Sequence, residues 1–405
     1  MSHNTQNIDV DIAIIGGGIA GLWLLNRLCS DGYNAILFEQ GELGGMQTIA
    51  SQGMIHGGIK YALGGALTGG SEAIADMPDH WRRCLKGEGD VDLRKASVLS
   101  EHFYMWSTPT IGSKVSSFFA SKVIRGRIDN LQKSDYPPPF QGKHFKGSVY
   151  KLVDLVLDVP SLITALAENC SGRIFSIDWQ TDRWLKTAEQ ATLQLNRGEQ
   201  SFAINAKRFV LSAGKGNGPL MAQLGITKPA MQLRPLQQVL VKHDYPHPLY
   251  AHCMGSNPSP RLTISTHPSA DGKQVWYLGG DLATEGIDWP PEQLIAKAKT
   301  ELNELFPHID WQQAEWATLK IDRAEPKQKG LLKPDKAFAQ PATGASNVIV
   351  AWPTKLTLSP NMADQVISYL QADNIKAAAT GHHLDALQSL PTPSMGTPYW
   401  DRLFV

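Results

Sequence analysis

Cysteine is scarce in this chain: four residues in 405, at Cys29, Cys84, Cys170 and Cys253, with no C-x-x-C pair. That spacing argues against a disulfide framework or a cysteine-rich metal site, so the thiols read as free or buried in a reducing compartment. Charge of one sign is also missing, with 38 acidic and 38 basic residues and no long single-sign run. A balanced chain gives no electrostatic reason to expect nucleic acid or an anionic membrane as partner. The first eight residues, MSHNTQNI, carry no hydrophobic signal region, and no apolar run is long enough to span a bilayer. The expected location is therefore cytoplasmic, without a transmembrane segment and with peripheral membrane contact left open. No internal repeat is visible. Apolar residues make up 42% and charged residues 19%, an ordinary globular balance, and 405 residues suit two or three domains around a large core.

Against these absences one segment stands out. Asp9-Val10-Asp11-Ile12-Ala13-Ile14-Ile15 reads as a short apolar strand and runs into Gly16, Gly18 and Gly21 at G-x-G-x-x-G spacing. An apolar helix pattern follows, then a second strand, Ile36-Leu37-Phe38, ending in Glu39. Each part has a physical task. Gly16 permits the tight turn, Gly18 lets the backbone approach a pyrophosphate, and Gly21 lets helix and strand pack closely. The helix N-terminus favours the phosphates. Glu39 is placed to accept hydrogen bonds from a ribose diol and would repel a 2′-phosphate, which disfavours NADP. By itself the unit leaves FAD and NAD both open.

Further along, glycine-rich loops follow at 41–46 and 51–61, and again through Gly64, Gly65, Gly69 and Gly70. A helix is expected from Ala73 to Leu85, with Pro78 breaking it or starting a turn. Ala96–Trp106 reads as one strand, and Gly112–Arg125 as an amphipathic helix serving as scaffold or lid. Val149–Asp158 reads as one strand-like run, and Asp158 with Pro160 marks a helix start. Phe209-Val210-Leu211-Ser212-Ala213-Gly214 looks like a parallel core strand ending in a glycine turn. Strands are expected at 238–242, 261–266, 275–279 and 317–323, a helix at 291–306, and a final strand and helix at 347–352 and 361–370. The tail beyond about Ala377 is mixed and polar, and is expected to pack loosely. Parallel-type βα units thus flank an antiparallel, strand-rich part. That alternation implies a discontinuous α/β dinucleotide domain with a mostly antiparallel β domain inserted twice.

The chain resembles the D-amino acid oxidase superfamily of FAD oxidoreductases, which includes glycine oxidase, glycerol-3-phosphate dehydrogenase and L-2-hydroxyglutarate dehydrogenase. Four segments carry the resemblance: the Gly16–Glu39 unit, Ser51–Tyr61, the Ala213-Gly214 turn, and Trp352–Met362. Met54-Ile55-His56-Gly57-Gly58-Ile59-Lys60-Tyr61 is similar to the His-Gly-Gly stretch of the glycerol-3-phosphate enzymes, which lies beside the isoalloxazine. Lys60 stands where those enzymes usually carry arginine. Pro353-Thr354-Lys355-Leu356-Thr357-Leu358-Ser359-Pro360 resembles the loop that closes on the flavin pyrimidine edge, although Trp352-Pro353 replaces the glycine usual there.

The resemblance implies FAD as cofactor, in a Rossmann-like, glutathione-reductase-type domain formed by 1–90, 150–225 and 325–375. The substrate domain would comprise 91–149 and 226–324, and 376–405 a C-terminal tail. It places cofactor contacts at Gly16, Gly18, Ile19, Ala20, Gly21, Glu39, Gln40, Gly45, Gly57, Gly58, Ala213, Gly214, Lys355, Leu356 and Thr357. No second glycine fingerprint exists for NAD(P)H, which favours one extended FAD and a small-molecule substrate as electron donor. The expected activity is transfer of a hydride from the C–H of a small hydroxy- or amino-acid-like substrate to flavin N5. His56 would assist proton removal, Lys355 would face the flavin, and Arg323 would clamp a carboxylate, with Arg234 as a weaker candidate for the clamp. The electron acceptor is left open among oxygen, a quinone and a carrier protein. The alternative is an FAD-binding protein without substrate oxidation, a reading favoured by Trp352-Pro353. No metal is expected.

Overall fold

The computed structural model describes residues 5–58, 74–107, 128–187, 190–257, 259–328, 336–377 and 384–404. The Gly112–Arg125 helix, together with Lys60 and Tyr61, lies outside them. Among the described residues, three sheets organise the chain. In the first, the strand Thr5–Ile15 sits at the centre, parallel to Ala35–Glu39 on one side and Gln200–Leu211 on the other. Its apolar run is buried on both faces. Ile12 and Ile14 pack into the core that holds the helix Ile19–Ser30, while Ala13 and Ile15 pack into a second core with Phe38 and Phe209. Such continuous burial is why a parallel core strand reads as unbroken Val/Ile/Leu.

The strand Gln200–Leu211 does two jobs. Its first half forms an antiparallel hairpin with Ala191–Arg197, and its last three residues pair in parallel with Val348–Trp352. That second pairing returns the chain's end to its beginning. Beside it the helix Ser359–Ala372 lies in the same core as Ile19–Ser30.

The second sheet has eight strands, in the order Glu315–Pro326, Met231–His243, Gln274–Gly279, Pro260–Pro268, Ala251–Met254, Phe103–Ser107, Ser148–Leu152 and Ile128–Asn130. All its pairings are antiparallel except that of Ala251–Met254 with Phe103–Ser107. The helix Pro291–Leu305 covers one face through Leu294, Ala298 and Leu302, packed with Val239, Val241, Trp276 and Leu278. The opposite face carries Leu240, Tyr277 and Leu319, which meet Ala50 and Trp400. A small third sheet joins Met54–Ile55, Leu155–Leu157 and Val98–Ser100.

Several boundaries depart from the sequence reading. The run 149–158 is two strands in two different sheets, Ser148–Leu152 and Leu155–Leu157. The break falls at Val153-Asp154, because the Asp154 carboxylate turns in to accept the Gly57 amide at 2.8 Å. The run 96–106 divides in the same way, into Val98–Ser100 and Phe103–Ser107. The helical run expected over 73–85 is interrupted at Asp76, and Pro78 stands in the first turn of the new helix Met77–Leu85, where its missing N–H costs nothing. The tail is also not loose over 384–404. Leu387 is buried with Phe38's core, and Trp400 stacks on His267 at 4.4 Å. Backbone bonds from Leu43 to Ser394 and from Gly396 to Leu43 tie the tail to the glycine-rich loop after Glu39. Apolar anchors spaced widely among polar residues leave little periodic signal to read.

Two buried histidines set an acid limit on this fold. Burial pushes His243 down to about 4 and His267 down to about 3. Once pH falls through 6.5 the unfolded chain binds protons that the native imidazoles refuse. Stability therefore rises with pH across the window from about 3 to 6.5 and is fully present above about 7. Roughly 4 kcal/mol should be lost between pH 7 and pH 5, read from urea midpoints at the two values. Replacing His267 with Gln should flatten that slope; parallel slopes for variant and parent would contradict the assignment.

Candidate functional site

The glycine turn is built so that no side chain could enter it. Gly16 has φ +116°, and a Cβ there would lie 2.6 Å from Ala213 Cα. At Gly21 a Cβ would come 1.9 Å from the Gly16 carbonyl oxygen. Gly18 is the N-cap of the helix Ile19–Ser30 and offers no side-chain cap, and the first turn carries no acid. The first amides of a helix have no intrahelical acceptor and carry the positive end of its dipole. Ile19 N donates instead to Thr48 Oγ1 at 3.0 Å. The Ala213 and Gly214 turn abuts this one directly, with Ser212 N donating to Ile15 O. A flat or extended group can thus approach bare backbone from two adjacent turns.

Glu39 closes the second strand. Its Oε2 accepts from Gly17 N at 2.6 Å and its Oε1 from Gly41 N at 2.8 Å. Two backbone donors hold the carboxylate against the glycine turn, leaving further lone pairs for a diol. Gln40 beside it is exposed, and Gly45 is buried under Tyr399, whose hydroxyl donates to Gly45 O at 3.4 Å.

A second cluster joins segments 300 residues apart. The short strand Met54–Ile55 delivers His56, 5% exposed, whose backbone N donates to Thr357 Oγ1 at 3.1 Å. Thr357 Oγ1 in turn donates to Met54 O at 3.3 Å, and Trp81 Nε1 donates to Thr357 O at 3.0 Å. Gly57 is held by Asp154, and Gly58 has φ +81°. Lys355 and Leu356 are half-buried just before Thr357. Thr354 adopts φ 61°, a left-handed conformation that costs a β-branched residue about 1–2 kcal/mol, and its hydroxyl donates to Lys336 O at 2.9 Å. So the His-Gly-Gly stretch and the 353–360 loop meet in the fold. Trp352 contributes its Nε1 to Gly214 O at 3.2 Å, linking that loop to the Ala213-Gly214 turn.

Arg323 belongs to a different sheet. It lies on Glu315–Pro326, in register with Arg234 on Met231–His243, and its Nε donates to Arg234 O at 3.4 Å. Strand alternation puts Arg323 on the same face as Leu319, the face that meets Ala50. Arg234 is committed elsewhere: its Nε and Nη2 both reach Glu325 Oε1, at 3.0 and 2.7 Å. That engagement removes Arg234 as the simple alternative clamp. Asp322 pairs with Lys215 at 2.6 Å and not with an arginine. Tyr277 Oη donates to Ala50 O at 2.9 Å, and burial raises its pKa well above the usual phenol value, so the phenol stays protonated.

Four participants escaped the sequence reading: Thr48, which caps Ile19; Asp154, which holds Gly57; Gln47, whose Oε1 accepts from Ala324 N at 3.1 Å; and Gln52, whose Nε2 donates to Tyr277 O at 2.8 Å. Each works through a partner 29 or more residues away, so local spacing holds no signal for it. Among the described residues no helix is long and apolar enough to cross a membrane.

A family model described as DAO, FAD dependent oxidoreductase, matches residues 11–351. A probable FAD-dependent oxidoreductase from Pseudomonas aeruginosa is 47% identical over 400 residues, covering 98% of this chain and 99% of that one. The crystal structure of an FAD dependent oxidoreductase from the same organism superposes with a TM-score of 0.82 at 42% identity, over 99% of each chain. Glycine oxidase from Geobacillus kaustophilus shares the fold, with a TM-score of 0.64 at 17% identity, over 93% of this chain and 97% of that one. L-alpha-glycerophosphate oxidase from Mycoplasma pneumoniae, a structure with FAD bound, shares it with a TM-score of 0.61 at 13% identity, over 90% and 95%.

Proposed function

Because the chain belongs to the DAO family of FAD dependent oxidoreductases, we propose that it oxidises a C–H bond of a small hydroxy- or amino-acid-like substrate that carries a carboxylate. When bound, FAD supplies the two-electron acceptor for the hydride at flavin N5. The Gly16–Gly21 turn and the start of its helix would hold the pyrophosphate, and Glu39 the ribose diol. Ala213, Gly214, Gly57, Gly58 and the Lys355–Thr357 loop would bound the rest of the cofactor, where bare backbone allows a flat ring to approach. His56 would take up the proton released as the substrate C–H is oxidised, and Lys355 would supply positive charge nearby. Arg323 would fix the carboxylate by paired charge-assisted hydrogen bonds.

The observation that carries this reading is the meeting of His56 with Thr357 across 301 residues, beside a glycine turn that admits no Cβ. Anaerobic mixing of the flavin-loaded protein with 2-hydroxy acids, amino acids and glycerol phosphate tests it. Bleaching of the flavin band by at least one carboxylate-bearing compound is expected. No bleaching across a broad panel would favour the second reading, a flavin-binding protein without substrate oxidation. One feature supports that second reading: Pro353 removes an amide donor from the closing loop, next to the strained Thr354.

A further inference from the structure

On the helix Met77–Leu85, His80 and Cys84 are four residues apart and so share one face. The loop after it turns at Gly87, with φ +75°, and brings Asp90 back over both. Gly89 makes that return possible, since a Cβ there would lie 2.4 Å from Cys84 Sγ. Asp90 Oδ1 receives both side chains, His80 Nε2 at 2.7 Å and Cys84 Sγ at 3.3 Å. The other oxygen, Oδ2, is held by Arg27 Nη1 at 2.7 Å. The three donor atoms lie within 4.8 Å of one another. Arg27 also meets Asp31 at 3.1 Å and Asp364 at 3.3 Å, so three carboxylates surround one guanidinium. Burial pushes the Cys84 thiol up to about 12, so an ordinary base would not ionise it.

We propose that His80 Nε2, Cys84 Sγ and Asp90 Oδ1 form a binding site for a thiophilic divalent cation, zinc in the first instance. A nitrogen, sulfur and oxygen set suits zinc and does not suit magnesium or calcium, which take oxygen ligands. Tetrahedral bonds of about 2.0–2.3 Å would separate the donor atoms by roughly 3.3–3.7 Å. The His80–Asp90 contact must therefore open by less than about 1 Å, and water completes the shell. The cation takes the place of the two hydrogens now directed at Asp90 Oδ1. The Cys84 proton leaves to solvent, His80 binds through the Nε2 lone pair with its proton on Nδ1, and nothing is oxidised or reduced. Asp90 Oδ2 keeps Arg27, as ligating carboxylates commonly keep an outer hydrogen bond. The surplus of carboxylates over guanidinium offsets the added charge. Trp81, on the same helix, donates to Thr357 O in the closing loop, so the ion would pin the helix that supports this loop.

The test uses flavin-loaded protein stripped with a chelator and titrated with cobalt(II), a spectroscopic substitute for zinc. One equivalent should give a thiolate-to-cobalt charge-transfer band in the difference spectrum and tetrahedral bands in the red, beyond flavin absorption. Zinc should displace both bands at one equivalent. Cys84→Ser should remove the charge-transfer band, and His80→Ala should weaken zinc at least about 100-fold against a chromogenic chelator. Cys29→Ser should change neither. Absence of the charge-transfer band in the parent protein, which needs no variant to fold, would overturn the proposal and leave a hydrogen-bond network only. A band that survives Cys84→Ser would overturn it equally.

Discussion

Glu39→Arg should yield a protein that purifies without flavin. In the parent, the carboxylate accepts Gly17 N and Gly41 N at 2.6 and 2.8 Å, so it holds the turn, and under the proposed function it would also hold the ribose diol. Arginine can accept neither amide, and it places a cation where a neutral diol should dock. Losing charge-assisted hydrogen bonds and leaving two turn amides without their acceptor should cost at least about 3 kcal/mol, or roughly 100-fold in FAD affinity. The ratio of absorbance in the flavin band to that of the protein is the measurement. Glu39→Gln keeps an acceptor oxygen and should retain more flavin than the arginine variant. Unchanged flavin content in Glu39→Arg would sink the ribose assignment, whatever the substrate proves to be.

Arg323→Ala should raise KM for a carboxylate substrate by about 100-fold while leaving flavin content unchanged. The two arginines stand in register on neighbouring strands. Both lie on the sheet face that carries Leu319, but Arg234 is ion-paired to the buried Glu325 at 3.0 and 2.7 Å, whereas Arg323 Nε donates to the Arg234 carbonyl at 3.4 Å. Lysine at 323 would keep the charge and lose the planar fork, so it should recover only part of the loss. The carboxylate clamp fails if a neutral analogue of the substrate suffers an equal rise in KM. Arg234→Ala is expected to act differently, since it strands the buried Glu325, and its main effect should be on stability.

The parts of the site that were legible in advance are those whose physical demand is local. Gly16, Gly18 and Gly21 announce a turn by their spacing, with no room for a Cβ at Gly16 or Gly21, and Glu39 follows at the end of a strand that periodicity reveals. The strands 209–214 and 347–352 were legible because parallel core strands are apolar on both faces. Thr48, Asp154 and Gln47 were not, because a hydrogen bond across 29, 97 or 277 residues leaves no local pattern. The split of 149–158 was hidden for a related reason. Val153-Asp154 interrupts nothing in the apolar alternation, and only the need to hold the Gly57 amide bends the chain there.

Local sequence by itself determined the anchor: a strand, a side-chain-free turn, a helix start and a terminal acid, each dictated by sterics or by charge within some thirty residues. Tertiary structure alone decided which distant groups stand together. It set His56 on Thr357, turned Asp154 onto Gly57, spent Arg234 on Glu325, and packed Trp400 of the tail against His267. The reason is physical. Backbone conformation answers to near neighbours, whereas a polar group leaving water takes whichever partner the closed fold offers, and that partner is chosen by the packing of whole sheets.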